Sequence, residues 1–130
     1  MFYYLDSAPI IYLVEEVEPF YDRVIERIDK PEILLATCTL SWLEVRVKPV
    51  RDKNHTRLQE FEEFFNDEIT LEIGISREVI DKATELRAKY NFKTPDAIHL
   101  AAAITSACDV FLTNDHRLDR CTEIKIEILE

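Results

Sequence analysis

The apolar residues of this chain keep switching between two spacings, and that switching limits the fold more than any other feature of the sequence. Short, wholly apolar runs stand at Phe2 to Leu5, Ile33 to Ala36 and Val110 to Leu112, as expected of parallel strands covered by helices on both faces. Two further candidate strands alternate instead: Ile69, Leu71 and Ile73 with Thr70 and Glu72, and Ile124, Ile126 and Ile128 with Lys125 and Glu127. Alternation marks a strand with one face partly wet, which puts these two at the sheet edges. Between the runs, apolar residues recur at helical spacing: Tyr21, Val24, Ile25 and Ile28; Leu58, Phe61, Phe64 and Phe65; Val79, Ile80, Ala83, Leu86 and Tyr90. Such stripes ordinarily face a core.

The pattern predicts an α/β fold: a single three-layer domain over residues 1–130, with a parallel sheet of about five strands flanked by helices. Strands 1, 2 and 4 are interior and 3 and 5 exterior, which suits the order 3-2-1-4-5. Strands 1 and 4 are then neighbours at the switch point, where ligands bind beyond the carboxyl ends of the strands. A chain of this length buries roughly two thirds of its unfolded surface, enough for one core and too little for two. Thr94 and Pro95 read as the N-cap and first position of a helix whose Ala97, Ile98, Leu100 to Ile104 and Ala107 cover most of its circumference. That helix should be deeply buried.

Composition removes several functions. The only glycine is Gly74, where average usage gives about nine. A dinucleotide-binding GxGxxG, a P-loop, a kinase glycine-rich loop and a GxSxG elbow each need several glycines close together. The three cysteines, Cys38, Cys108 and Cys121, form neither a CxxC motif nor a disulfide framework, which fits a reduced, cytoplasmic setting. No basic residue precedes Arg23, Asp6 interrupts the first apolar run, and no segment is long enough to cross a bilayer. A net charge of -10, from 16 Lys plus Arg against 26 Asp plus Glu, argues against adhesion to nucleic acid through overall charge. A local basic patch or a metal bridge remains open.

Four acids fall at the ends of predicted elements. Asp6 closes strand 1, Asp115 follows strand 4, Asp96 lies in the first turn of the buried helix and Glu44 sits in the helix after strand 2. Converging on one crevice, they would form an oxygen-rich site suited to Mg²⁺ or Mn²⁺ rather than zinc. Without a cation such a cluster is repulsive, so it implies a metal or raised pKa values. Each acid also has a plainer role. Asp6 and Asp115 could be ordinary loop acids, and Asp96 could complement the helix dipole. Glu44 could close a capping box with Ser41 or pair with Lys48 one turn on.

The motifs around these acids carry a family resemblance. Tyr4-Leu5-Asp6-Ser7, then Leu40-Ser41-Trp42-Leu43-Glu44-Val45-Arg46-Val47-Lys48-Pro49, then Thr94-Pro95-Asp96-Ala97-Ile98-His99-Leu100-Ala101, and finally Phe111-Leu112-Thr113-Asn114-Asp115 resemble the successive motifs of PIN-domain ribonucleases. The short single-domain form is most similar to the VapC-type toxins of toxin-antitoxin pairs. The resemblance implies metal-dependent hydrolysis of RNA, with metal-binding roles for Asp6, Glu44, Asp96 and Asp115. It implies that Thr113 holds the Asp6 carboxylate or the phosphate side of the site, with Ser7 and Asn114 as supporting polar groups. It also implies a homodimer and an antitoxin partner with a basic, partly disordered segment. The family often carries Asn or Ser where Ala8 stands, and here Pro9 follows.

Outside the acids, His99 reads as a hydrogen-bonded core residue rather than a ligand, His116 as an exposed turn residue and His55 as the start of a solvated helix. Residues 44 to 57 hold Arg46, Lys48, Arg51, Lys53 and Arg57 against Glu44 and Asp52, a local charge of +3. They either guide RNA phosphates towards Glu44 or form a solvated face. Residues 60 to 72 carry six acids and no base, and residues 15 to 32 carry seven acids against three bases. Such runs are usually solvated faces, but with Phe20 and Tyr21 interleaved and Tyr12 nearby the second run also suits the basic antitoxin segment that the resemblance implies.

Three other functions compete. A phosphoacceptor receiver domain needs an acid pair after strand 1, an Asp after strand 3 and a Lys after strand 5. Here Asp6 stands alone and strand 3 ends in Gly74-Ile75-Ser76. A haloacid-dehalogenase-type phosphatase needs a second Asp where Ala8 stands. A catalytically silent binding module of the same fold is disfavoured by the intact acids.

Overall fold

The computed structural model describes residues 1–129. Along the chain it forms β1 (Phe2–Leu5), α1 (Ser7–Val14), α2 (Phe20–Ile28), β2 (Leu34–Cys38), α3 (Thr39–Arg51), α4 (His55–Asp67), β3 (Ile69–Ile73), α5 (Arg77–Tyr90), α6 (Thr94–Thr105), β4 (Val110–Thr113), a 3-10 turn (His116–Arg120) and β5 (Lys125–Ile128). The five strands form one sheet in the order β3-β2-β1-β4-β5, and every neighbouring pair is parallel. This is the predicted architecture. The three apolar runs lie inside the sheet, and the two alternating strands lie at its edges.

Period-two geometry divides the core between the two faces of the sheet. Tyr4, Ala36 and Phe111 join residues of α5 and α6 on one face, including Leu86, Leu100 and Ala101. Tyr3, Leu5, Leu35 and Leu112 point the other way, to Ile10 of α1, Val24 of α2, Val45 of α3 and Phe61 of α4. Tyr4 and Phe111, paired in register across β1 and β4, stack with centroids 5.0 Å apart. In α6, Ala97, Ala101, Ala102 and Ala103 are all fully buried. Such small side chains let the helix lie close to its neighbours.

Two local expectations shift, and one helix forms where the apolar spacing predicts none. Strand β2 runs directly into α3 with Cys38 as N-cap, so the helix starts ahead of Ser41 and the Ser41–Glu44 capping box does not form. Ser41 is instead buried, and its hydroxyl pairs with that of Thr37 at 2.7 Å. At α6 the cap is Lys93, with no side-chain cap bond, one residue before the expected Thr94. Asp96 stays in the first turn. Finally, Ser7–Val14 is helical, although its almost uniformly apolar face shows no periodicity.

With one glycine available, the left-handed backbone positions fall on Glu16, Lys53, Asn91 and Ala107, with φ between 52° and 61°. Gly74 has no positive φ. Asn91 closes α5 in that conformation, donating its backbone N–H to Arg87 O, a position that suits Asn better than most residues.

Candidate active site

Topology brings the acids together. Strands β1 and β4 are neighbours, and the sheet order reverses between them, so the residues leaving their carboxyl ends share the switch-point crevice. Asp6 follows β1 and is tied to β4 through its backbone N–H, which donates to Leu112 O at 3.0 Å. Its side chain caps α1: Oδ1 accepts from the backbone N–H of Ser7 at 2.9 Å. Oδ2 accepts from the Thr113 hydroxyl at 2.8 Å. Both carboxylate oxygens are therefore fixed by the backbone start of one element and the end of another.

Glu44 enters from the second turn of α3. Its Oε1 accepts from the Ser7 hydroxyl at 2.6 Å and lies 2.6 Å from His99 Nε2. These partners replace the suggested capping and Lys48 roles. Half-burial pushes the Glu44 carboxyl up, but the hydrogen bonds from His99 and Ser7 outweigh it and bring it below its ordinary value. His99 Nε2 also lies 3.7 Å from Asp6 Oδ1. Burial pushes the imidazole down, while its bond to Glu44 and the charges of Asp6, Glu44 and Asp96 push it up by more.

Asp96 comes from the first turn of α6. Burial raises its pKa first, and the charges of Asp6 and Asp115 raise it further. Three of the four acids thus feel one another. Asp115 caps the 3-10 turn, with Oδ1 accepting from the backbone N–H of Arg117. The Arg117 guanidinium grips the same carboxylate, Nε to Oδ1 at 3.0 Å and Nη2 to Oδ2 at 2.6 Å, and holds the carboxyl below its ordinary value. Thr113 also accepts from the backbone N–H of Asp115 at 3.1 Å, so one buried threonine links Asp6 to Asp115. Asn114 turns aside and donates to Tyr12 Oη at 2.9 Å.

The donor set is all carboxylate, as hard cations require, and burial together with the charges of Asp6 and Asp115 disfavours the ionised Asp96, a cost that a cation would relieve. By donor type and shared field these residues fit Mg²⁺ or Mn²⁺. In the arrangement shown, Arg117 occupies Asp115 while His99 and Ser7 occupy Glu44. Among the described residues no group of three or more His, Cys, Asp or Glu side chains is set to hold a metal ion in this arrangement. Sequence reasoning passed over Arg117 and placed His99 in the core alone. The spacing of His99, three residues beyond Asp96 on one helix face, was the available signal; Arg117 had none beyond its closeness to Asp115.

The basic stretch lies along α3 and beyond. Arg46 folds back over Trp42, its guanidinium carbon 4.0 Å from the ring centroid and its Nε donating to Trp42 O at 2.9 Å. Lys48, Arg51 and Lys53 are exposed. Leu43, Val47 and Val50 are exposed beside them.

A family model for the PIN domain matches residues 3–124. The chain belongs to the PIN-domain family. Among solved structures, VapBC2 of Rickettsia felis bound to a promoter DNA fragment is similar over 100% of both chains, with 18% identity and a TM-score of 0.80. The DNA-bound VapBC of Salmonella typhimurium aligns over 99% of this PIN domain and 98% of its own chain, at 15% identity and a TM-score of 0.73. A toxin-antitoxin complex from Klebsiella pneumoniae covers 95% and 98%, at 22% identity and a TM-score of 0.69. At these identities the likeness is one of fold. No curated protein sequence matches the chain.

Proposed function

We propose that this PIN domain is a metal-dependent endoribonuclease and the toxin of a VapBC-type toxin-antitoxin pair. One observation carries the reading: carboxylates at the ends of β1 and β4 and at the start of α6 share one field, in which Asp96 feels the charges of Asp6 and Asp115, and Glu44 from α3 is joined to Asp6 through His99 Nε2. The likeness in fold to toxin-antitoxin complexes supports the toxin assignment.

Asp6, Asp96 and Asp115 are the metal ligands in this reading, and Glu44 holds a second ion or orients the attacking water. Bound Mg²⁺ or Mn²⁺ would supply charge neutralisation at the phosphate and a water of lowered pKa. Thr113 keeps the Asp6 carboxylate in place. Ser7 serves Asp6 through its backbone and Glu44 through its hydroxyl, while Asn114 ties the β4 end to Tyr12. Arg46, Lys48, Arg51 and Lys53 offer phosphates an approach along α3. The acidic stretches around α2 and α4 suit a basic antitoxin segment. We further expect a homodimer and a cytoplasmic location; no helix among the described residues is long and apolar enough to cross a membrane.

The test is a panel of single-stranded RNAs incubated with purified protein, with and without chelator. Cleavage that needs Mg²⁺ or Mn²⁺ and is lost in Asp6→Asn and Asp96→Asn supports the assignment. Cleavage unaffected by chelator or by these substitutions refutes it.

A further inference from the structure

One group under the acids is neither a proposed ligand nor a plain core residue. His99 is 2% exposed, yet both of its ring nitrogens have polar neighbours. On one side Nδ1 lies 2.7 Å from the Tyr4 hydroxyl. On the other, Nε2 lies 2.6 Å from Glu44 Oε1 and 3.7 Å from Asp6 Oδ1. Tyr4 is itself fully buried on the middle strand β1, stacked on Phe111, so the far end of this chain of contacts is anchored in the rigid centre of the sheet.

The chemistry of the partners fixes the protons. An ionised carboxylate only accepts, so Nε2 carries hydrogen towards Glu44 whether the ring is neutral or charged. In the neutral ring Nδ1 is bare and accepts from Tyr4. Burial pushes the Tyr4 phenol well above its ordinary pKa, so it keeps its proton; towards a charged ring the contact reverses, with Nδ1–H donating to the Tyr4 oxygen. The Ser7 hydroxyl donates to the same oxygen, Oε1 of Glu44, at 2.6 Å. Both described hydrogen bonds to this carboxylate therefore fall on one oxygen, Oε1, and neither engages Oε2.

From this geometry we infer that His99, locked by Tyr4, is a positioning residue that fixes the Glu44 carboxylate against Asp6 with Oε2 presented to the metal. The inference rests on the metal-dependent reading of the site and adds to it a buried support running from the sheet centre to the acid. Partners of this kind that orient a ligand typically change metal affinity by about 10- to 100-fold when removed.

A double-mutant cycle read by Mn²⁺ titration calorimetry, with Mn²⁺ electron paramagnetic resonance as a second readout, tests it. His99→Leu should weaken Mn²⁺ binding by about 10-fold or more, and Tyr4→Phe should weaken it in the same direction by less. Neither should weaken it further in a Glu44→Gln background, because residues acting through a shared partner are non-additive. A general packing defect would not produce that coupling. Wild-type affinity in both single variants, or losses of equal size with and without Glu44, would overturn the inference. If His99→Leu does not fold, the Tyr4→Phe cycle, which removes a single hydroxyl, decides by the same criteria. The underlying reading fails separately: it falls if the wild-type protein binds no Mn²⁺ or if Asp6→Asn binds it as tightly.

Discussion

At the scale of single residues, the site shows why its acids are costly to keep. Asp96 has its carboxyl pushed up by burial and by Asp6 and Asp115. For an acid whose pKa is raised on folding, the folded state holds its proton longer. Stability is therefore fully present below the unfolded pKa and declines as pH rises through the raised folded value. Asp96→Asn should accordingly raise the melting temperature of chelator-treated protein at neutral pH, and the gain should vanish at acid pH. The same substitution should abolish the stabilisation that Mn²⁺ gives the wild type by binding the folded state. Melting curves with and without Mn²⁺ check both halves. Asp6, Asp96 and Asp115 were legible in the sequence because each terminates or opens an element, whereas Glu44, in the second turn of α3, stood out only by the motif around it. The double role of His99 was not legible, because a histidine flanked by Ile98, Leu100 and Ala101 looks the same whether or not a carboxylate from another helix reaches it. Glu44 comes 55 residues earlier in the chain.

At the scale of elements, strands were easier to read than helix starts. An apolar run covered on both faces is visible as a run, whereas the start of α3 depended on β2 passing into helix with no intervening loop. The Ser41–Glu44 pattern matched a cap by composition, but the backbone at Ser41 was already helical and its hydroxyl had a buried partner in Thr37. Helix α1 escaped notice because its residues are apolar on nearly every side. The scarcity of glycine has its effect at this scale too. Ala107 follows α6 with φ 55° and is exposed, so its methyl group adds strain there without packing. Ala107→Gly should stabilise the protein by about 0.5–1 kcal/mol, the left-handed strain relieved being larger than the added freedom of the unfolded chain. Urea denaturation reads this directly, and a loss of stability would contradict the strain argument.

For the whole molecule, the net charge of -10 is a distribution rather than a uniform property. In the proposed site, two divalent cations would bring it from -10 to -6 and cancel the charge of the four carboxylates that RNA would otherwise meet. The exposed cations of α3 and the following loop would then guide the phosphates. Arg51→Glu with Lys53→Glu should raise KM for RNA and flatten its salt dependence, leaving kcat largely intact; an unchanged salt slope would return that stretch to a solvated face. The acidic stretches on other surfaces should capture the basic product of an adjacent small reading frame, and failure to co-purify such a complex would count against the toxin assignment. The sheet order was legible from the alternation of apolar runs, and with it the placing of Asp6 and Asp115 after adjacent strands. What could not be read was that Arg117 and His99 hold two of those acids in the arrangement shown. The most direct measurement of the central claim is single-turnover cleavage of single-stranded RNA by wild-type and Asp96→Asn protein, stripped by chelator and then resupplied with Mn²⁺. Activity restored by Mn²⁺ in the wild type alone is the predicted result, and cleavage by stripped protein or by resupplied Asp96→Asn would contradict it.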